Sequence, residues 1–252
     1  VAGIIGFFVV IRGSSFAAHA LPLGTFPGAA AAHLLGVNQL FGLVLFSILG
    51  VIGIHQLGRR GRHEVATALC LVMLLGLGAL FLSLTSEYSQ EVYSLLFGEV
   101  LGIGSSDVAP IAVISALSIL VTALLFRPLL LSSVSPELAE ARGVSSHRME
   151  LCFLTILALA TAMALPVVGA LLVFSLMVGP AAAARSLTSR PLHAMILSAG
   201  ISLVTVWVAI ALSYVSNWPV GFFVGGIGVV SYGLGQAYAW QRTVAPANIA
   251  SN

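Results

Sequence analysis

Residues 134–148 read VSPELAEARGVSSHR, a polar island between two long apolar blocks. It carries Glu137, Glu140, Arg142 and Arg148 in a chain that is only 7% charged. An ionised side chain held at bilayer depth costs roughly 3 kcal/mol or more, so a stretch this polar must sit in water. Pro136 suits the first turn of a short helix, Glu137 and Glu140 lie near its positive end, and Gly143 can stop it. The island is thus expected to be a short helix on a water-exposed loop. Two roles are open for it: an ordinary capped loop helix, or a surface offered to a soluble partner.

The blocks on either side decide the class. The chain has 252 residues, 59% of them hydrophobic, and a mean hydropathy of +1.10; in soluble proteins about a quarter of residues are charged. The composition is that of an all-α polytopic membrane protein, and no polar interval is long enough to enclose a soluble core. A net charge of +2 is too small to suggest nucleic acid, and all ten basic residues are Arg. Cys70 and Cys152 fall inside apolar segments with no His or Cys at metal spacing, and read as packing residues.

Working back from the island, the apolar run Val108 to Leu131 is a span, and before it Thr85 to Ser106 holds Glu87, Glu91 and Glu99 without a basic residue, with a middle suited to a short interfacial helix. Val65 to Leu84 and Leu40 to Leu57 are further spans, joined by the turn GRRGRH. Residues 14–36, SSFAAHALPLGTFPGAAAAHLLG, differ from the rest: two prolines, three glycines and two histidines predict a helix broken near Pro22 and Pro27. A broken helix is tolerated at membrane depth only against protein or a water-filled path, which makes this a candidate path-lining segment. The chain opens with VAGIIGFFVVIRG, about half of the ~20 residues a span requires. Either the sequence is amino-truncated, or Val1 is a start codon read literally and the first helix is short; a signal peptide is excluded by the missing basic front end and cleavage site.

Beyond the island, Met149 to Leu165 and Pro166 to Ala184 form an apolar stretch expected to divide at Pro166. Pro191 to Tyr214 and Pro219 to Tyr238 are the last spans, separated by VSNW, for a total of about eight or nine. Small-residue runs at Gly28 to Ala32 and Gly179 to Ala184 allow close helix approach. Arginine placement orients the chain: Arg59, Arg60, Arg62, Arg127, Arg142, Arg148, Arg185, Arg190 and Arg242 fall on one side, and the Glu-bearing interval and SNW on the other. The island and the carboxyl terminus are then cytoplasmic, with nine spans.

Four strings carry a resemblance: RGSSFAAHALPLGTFPGAAAAHLLGVN, YSLLFGEVLGIGSSD, SPELAEARGV and VVGALLVFSLMVGPAAAAR. In this order they resemble landmarks of the zinc/manganese/iron family of ABC importer permeases across nearly the whole chain. The resemblance implies a single transmembrane permease domain over residues 1–252, of the type II ABC importer kind, in a bacterial cytoplasmic membrane. It implies a homodimer with two ATP-binding cassette ATPase subunits below and an extracytoplasmic metal-binding protein above. No cofactor is implied; the divalent metal ion is cargo. Relative to the family, about one amino-terminal helix or part of one is missing. The loop 132–148 would be the coupling helix, with Pro136, Glu137, Leu138, Ala139, Glu140 and Gly143 docking in the ATPase.

The family pattern places an Asp and, four residues later, a His on the path helix ahead of a Pro-Gly pair. Aligning Pro27 and Gly28 with that pair puts His19 at the Asp position and Leu23 at the His position. His19 is either a path ligand or a donor to a carbonyl freed by Pro22. Two copies meeting near a dimer axis would offer two imidazoles, a set that favours zinc over manganese. His33 falls within about 40° of His19 on an ideal helix and is a second candidate lining residue. His55 and His63 flank the GRRGRH turn as interfacial or solvated groups, Asp107 reads as a helix-start residue, His193 as a helix-end residue, and Glu99 as either a gate or a packing contact. The chain has no phosphate-binding GxxxxGK[ST] loop and no HExxH, so ATP hydrolysis falls to another chain and the protein itself is not expected to be an enzyme. The rival readings are an ATP-independent secondary transporter or channel, and a permease for a metal chelate.

Overall fold

The computed structural model describes residues 1–58, 63–84 and 104–244, which are helical apart from short turns. In chain order the helices are α1 (Ala2–Ile11), α2 (Ser15–Gly24), α3 (Phe26–Leu35), α4 (Gln39–Gly58), α5 (His63–Ser83), α6 (Ser105–Leu124), α7 (Phe126–Val134), α8 (Pro136–Ala141), α9 (Ser146–Val168), α10 (Ala170–Leu187), α11 (Pro191–Ser216) and α12 (Val220–Val244). Among the described residues seven helices are long and apolar enough to cross a membrane: α4, α5, α6, α9, α10, α11 and α12. The segment expected to be broken forms two ten-residue helices, α2 and α3, and α1 is a shorter apolar helix. The all-α polytopic expectation holds. Arg59, Arg60, Arg62, Glu87, Glu91 and Glu99, and the interfacial helix expected near them, lie outside the described residues.

The chain divides into two compact units, one comprising Val1 with Ile11–Val173 and the other Ala2–Val10 with Phe174–Asn252. In the first, α4 packs against α2, α3, α5 and α9, and α9 also packs against α2 and α6. Ala29, Leu43, Ala162, Met163, Leu165 and Ala170 form a buried cluster there, with Leu23 and Phe26 of the broken span packed against it. The helices meet where side chains are smallest: a Cβ at Gly28 would run into the Gly42 carbonyl oxygen, and one at Gly42 into that of Gly28. Because lipid tails are as apolar as leucine, membrane helices associate through this kind of close contact.

In the second unit the same device recurs. Gly179 faces Gly228, and Gly235 faces Ala183, so α10 and α12 approach closely at the second small-residue run. Ser198 Oγ donates to the Gly3 carbonyl at 2.7 Å and Ser202 Oγ to that of Leu176 at 3.1 Å, each satisfying a hydroxyl buried in the packing.

Two expected boundaries are corrected. The stretch after the island divides at Gly169 rather than at Pro166, which lies inside α9. Pro166 removes one donor, toward the carbonyl of Ala162, and the helix absorbs that loss; Gly169, at φ +82° and ψ 155°, holds a backbone conformation that stops it. The span expected over Val108 to Leu131 ends at Leu124, and α7 is a separate helix. Pro128 cannot donate to the Leu124 carbonyl, and Arg127 beside it is exposed, so the apolar run is cut where the chain leaves the spanning segment.

The glycine contact sets a stability test. Gly42→Val should lower the melting temperature of the purified protein by several degrees, in line with the ~1–3 kcal/mol cost of overpacking. Gly76→Ala, at a glycine with open space around it, should not lower it.

Candidate functional site

The polar island folds as its residues dictate. Ser135 is the N-cap of α8, its Oγ accepting from the Leu138 N–H at 3.4 Å, and Pro136 occupies the first turn where its missing donor is harmless. At the other end the Val144 N–H donates to the Ala139 carbonyl at 2.8 Å, and Gly143 turns the chain at φ +78°. This is the left-handed closure that the sequence called for. Ser145 then caps α9, and Ser146 Oγ donates back to the Pro136 carbonyl at 3.3 Å. Ala139 is fully buried, whereas Pro136, Glu137, Leu138, Glu140, Arg142 and Gly143 are exposed. A six-residue helix pinned at both ends thus presents two carboxylates and a leucine to the outside.

Around it lies a belt of polar contacts. The His55 and His147 rings stack with centroids 4.3 Å apart, and His63 Nδ1 lies 3.1 Å from Glu150 Oε1. These pairs bring the end of α4 and the start of α5 to the first turns of α9. Arg12, between α1 and α2, donates through Nη1 to Ser132 and Ser133 Oγ at 3.1 Å each, and its guanidinium carbon lies 5.1 Å from the centre of the Phe153 ring. Arg12, Ser132, Ser133, His147 and Glu150 were not among the expected site residues. The available signal was that Arg12 is an isolated cation closing an apolar run.

The path segment breaks between its prolines. Pro22 lies inside α2, Pro27 sits in the first turn of α3, and the break itself is at Thr25. Pro22 and Pro27 cannot donate to the carbonyls of Ala18 and Leu23. Thr25 is fully buried, and its Oγ1 donates to the Pro22 carbonyl at 2.7 Å. Gly28 serves the contact with α4 as well as the bend.

His19 is half-buried on α2, with Nδ1 shielded from solvent. Leu23 packs into the apolar cluster. His33 is exposed in the last turn of α3. The break at Thr25 interrupts the continuous helix on which the shared face of His19 and His33 depended. Among the described residues no three His, Cys, Asp or Glu side chains come together as a metal site. Asp107 lies in the first turn of α6, where the N-cap is Gly104, and His193 is exposed in the first turn of α11.

Comparison with known proteins places this architecture. A family profile described as "ABC 3 transport family" matches residues 1–232. Manganese transport system membrane protein MntC of Listeria monocytogenes is 31% identical over 223 residues, covering 88% of this chain and 79% of that protein. Manganese import system permease protein ScaB of Streptococcus pneumoniae is 29% identical over 228 residues, with the same coverage of 88% and 79%. The solved structure of PsaBC from Streptococcus pneumoniae in complex with Fab shares the fold, at a TM-score of 0.83 and 22% identity over 96% of this chain and 90% of that one. The chain belongs to the ABC 3 transport family and is a multi-pass membrane protein.

The capping geometry of α8 is open to measurement. Ser135→Ala should speed amide exchange across 136–141 by roughly fivefold, corresponding to about 1 kcal/mol for a lost N-cap, while exchange in α4 stays unchanged.

Proposed function

We propose that this chain is the membrane-spanning permease subunit of an ATP-binding cassette importer for a divalent transition metal ion, with manganese the first candidate. The observation that carries this reading is the family match along 1–232, joined to relatives named for manganese transport at about a third identity over most of the chain. The geometry of α8 supports the same reading, since a rigid, exposed helix between α7 and α9 suits a docking surface. A homodimer would pair with two ATPase subunits on the α8 side and receive metal from a binding protein on the opposite side. The carboxyl terminus is then cytoplasmic, in a bacterial inner membrane. ATP-driven closure of the ATPases pushes on Pro136 to Val144, and that movement opens or closes the path beside α2 and α3.

The order of preference among metals rests on the relatives, because the residues alone lean otherwise. A paired His19 set from two copies suits zinc, whereas manganese prefers oxygen donors. Iron is the third candidate. The test is uptake of radiolabelled manganese, zinc and iron into vesicles holding the complete complex, with and without ATP. ATP-dependent uptake of manganese above the other two is expected. Uptake that proceeds equally without ATP would mean a channel or secondary transporter instead.

Two substitutions address the residues. Glu140→Arg reverses a charge on the docking surface and should cut ATP-driven uptake by about tenfold, the equivalent of ~1.4 kcal/mol, while insertion into the membrane is unchanged. Normal uptake in this variant would remove the docking role from Glu140. His19→Ala should likewise lower uptake by about tenfold if the imidazole meets the ion; wild-type flux would make His19 a packing residue.

A further inference from the structure

One side chain at the entry to the path segment touches both helices that flank the island. Arg12 leads directly into α2, the first half of the broken span that carries His19. Its Nη1 carries two N–H bonds, one for each of Ser132 and Ser133 at the end of α7, and its guanidinium lies over Phe153 on α9. These are the two helices that enter and leave α8. Both serine hydroxyls donate to the Leu129 carbonyl, which leaves their lone pairs to face the guanidinium. Burial works against the Arg12 charge, and the carboxylate of Glu150 offsets part of that cost.

We propose that Arg12 is a positioning residue that carries movement of the α7–α8–α9 loop to the first half of the substrate path, an inference that rests on the importer reading above. A push on α8 displaces α7 and α9 together. A charged group bonded to one and seated on the aromatic face of the other must either follow them or lose its partners, and losing them leaves a part-buried cation unpaired. Arg12 therefore moves with the loop, and the start of α2 moves with Arg12. An arginine that merely anchors a helix at the membrane surface would extend its head group to water and lipid instead.

The experiment uses the complete complex in vesicles, with uptake of radiolabelled manganese and ATP hydrolysis measured on the same sample. Arg12→Gln should keep ATP hydrolysis within about twofold of wild type and lower uptake per ATP by about tenfold. Arg12→Lys, which keeps the charge and enough N–H donors for both serines but not the planar group over Phe153, should recover part of the loss. The double variant Ser132→Ala with Ser133→Ala should reproduce the Arg12→Gln ratio, and combining all three changes should add nothing further, as for groups that act through one contact. An unchanged ratio in Arg12→Gln, a parallel fall in both rates, or additive losses would each overturn the inference. Should Arg12→Gln fail to reach the membrane, the serine pair decides alone: a reduced ratio supports the tie and a wild-type ratio sinks it. A wild-type complex that hydrolyses ATP without moving any of the three metals would overturn the importer reading. In that event a spin label at Phe16, placed on a background lacking Cys70 and Cys152, still decides: its ATP-dependent displacement should vanish in Arg12→Gln, and persistence refutes the tie.

Discussion

A carbonyl freed by proline inside hydrocarbon finds no water, and leaving such a group unsatisfied costs several kcal/mol. That constraint governs where this chain can bend. At Thr25 the bend falls in a fully buried position, where the threonine's hydroxyl and its backbone N–H both donate to the Pro22 carbonyl, at 2.7 and 3.2 Å. The buried hydroxyls of Ser118, Thr122 and Thr161 follow the same rule on unbroken helices, each returning to a carbonyl of the preceding turn. The interruption at Thr25 thus keeps the carbonyl at the bend paired.

With backbone groups settled inside each helix, packing between helices depends on how close two backbones can come. The reciprocal contact of Gly28 and Gly42 brings α3 onto α4, and this contact sets Ala29 and Leu43 in the same buried cluster as Met163 and Leu165 of α9. Large side chains such as Trp207, Leu203 and Val229 point outward instead. Large apolar side chains thus occur on both sides, since the core also holds Phe7, Phe8 and Phe153: lipid accepts leucine, so an outward position costs it nothing.

The parts of this fold that were legible in the sequence are those decided by neighbours in the chain. Ser135, Pro136 and Gly143 specify the start and stop of α8 within a few positions of one another, and Pro22 with Pro27 announces the broken span. The small-residue runs were readable as contact surfaces, but which surface each would meet was not. Where local cues competed, the reading went astray. Pro166 is the stronger punctuation mark on paper, yet one lost donor is absorbed within a packed helix, whereas a residue held at positive φ ends it. Arg12 illustrates the other limit. Its partners stand 120 and 121 positions away, and no pattern of spacing joins an arginine at the end of one apolar run to two serines before the island.

The two ends of the candidate machinery differ in the kind of chemistry they hold. The α8 end is crowded with charge: Glu137, Glu140, Arg142, the His63 contact with Glu150, and Arg12 against its serines. The path end is sparse, because the face of α2 that carries His19 continues into Leu23, and Leu23 is committed to the apolar cluster around Met163 and Leu165. An imidazole at position 23 would sit against that cluster and bear a desolvation cost that leucine avoids. Donors sparsely placed hold an ion weakly, and for a carrier this is a workable design. Conduction requires a site good enough to enter and poor enough to leave, and under the proposed function an ion met by few groups would be released by a modest movement of α2. In the proposed importer the demand then falls on α8 to deliver that movement, and the charged contacts described above are concentrated there.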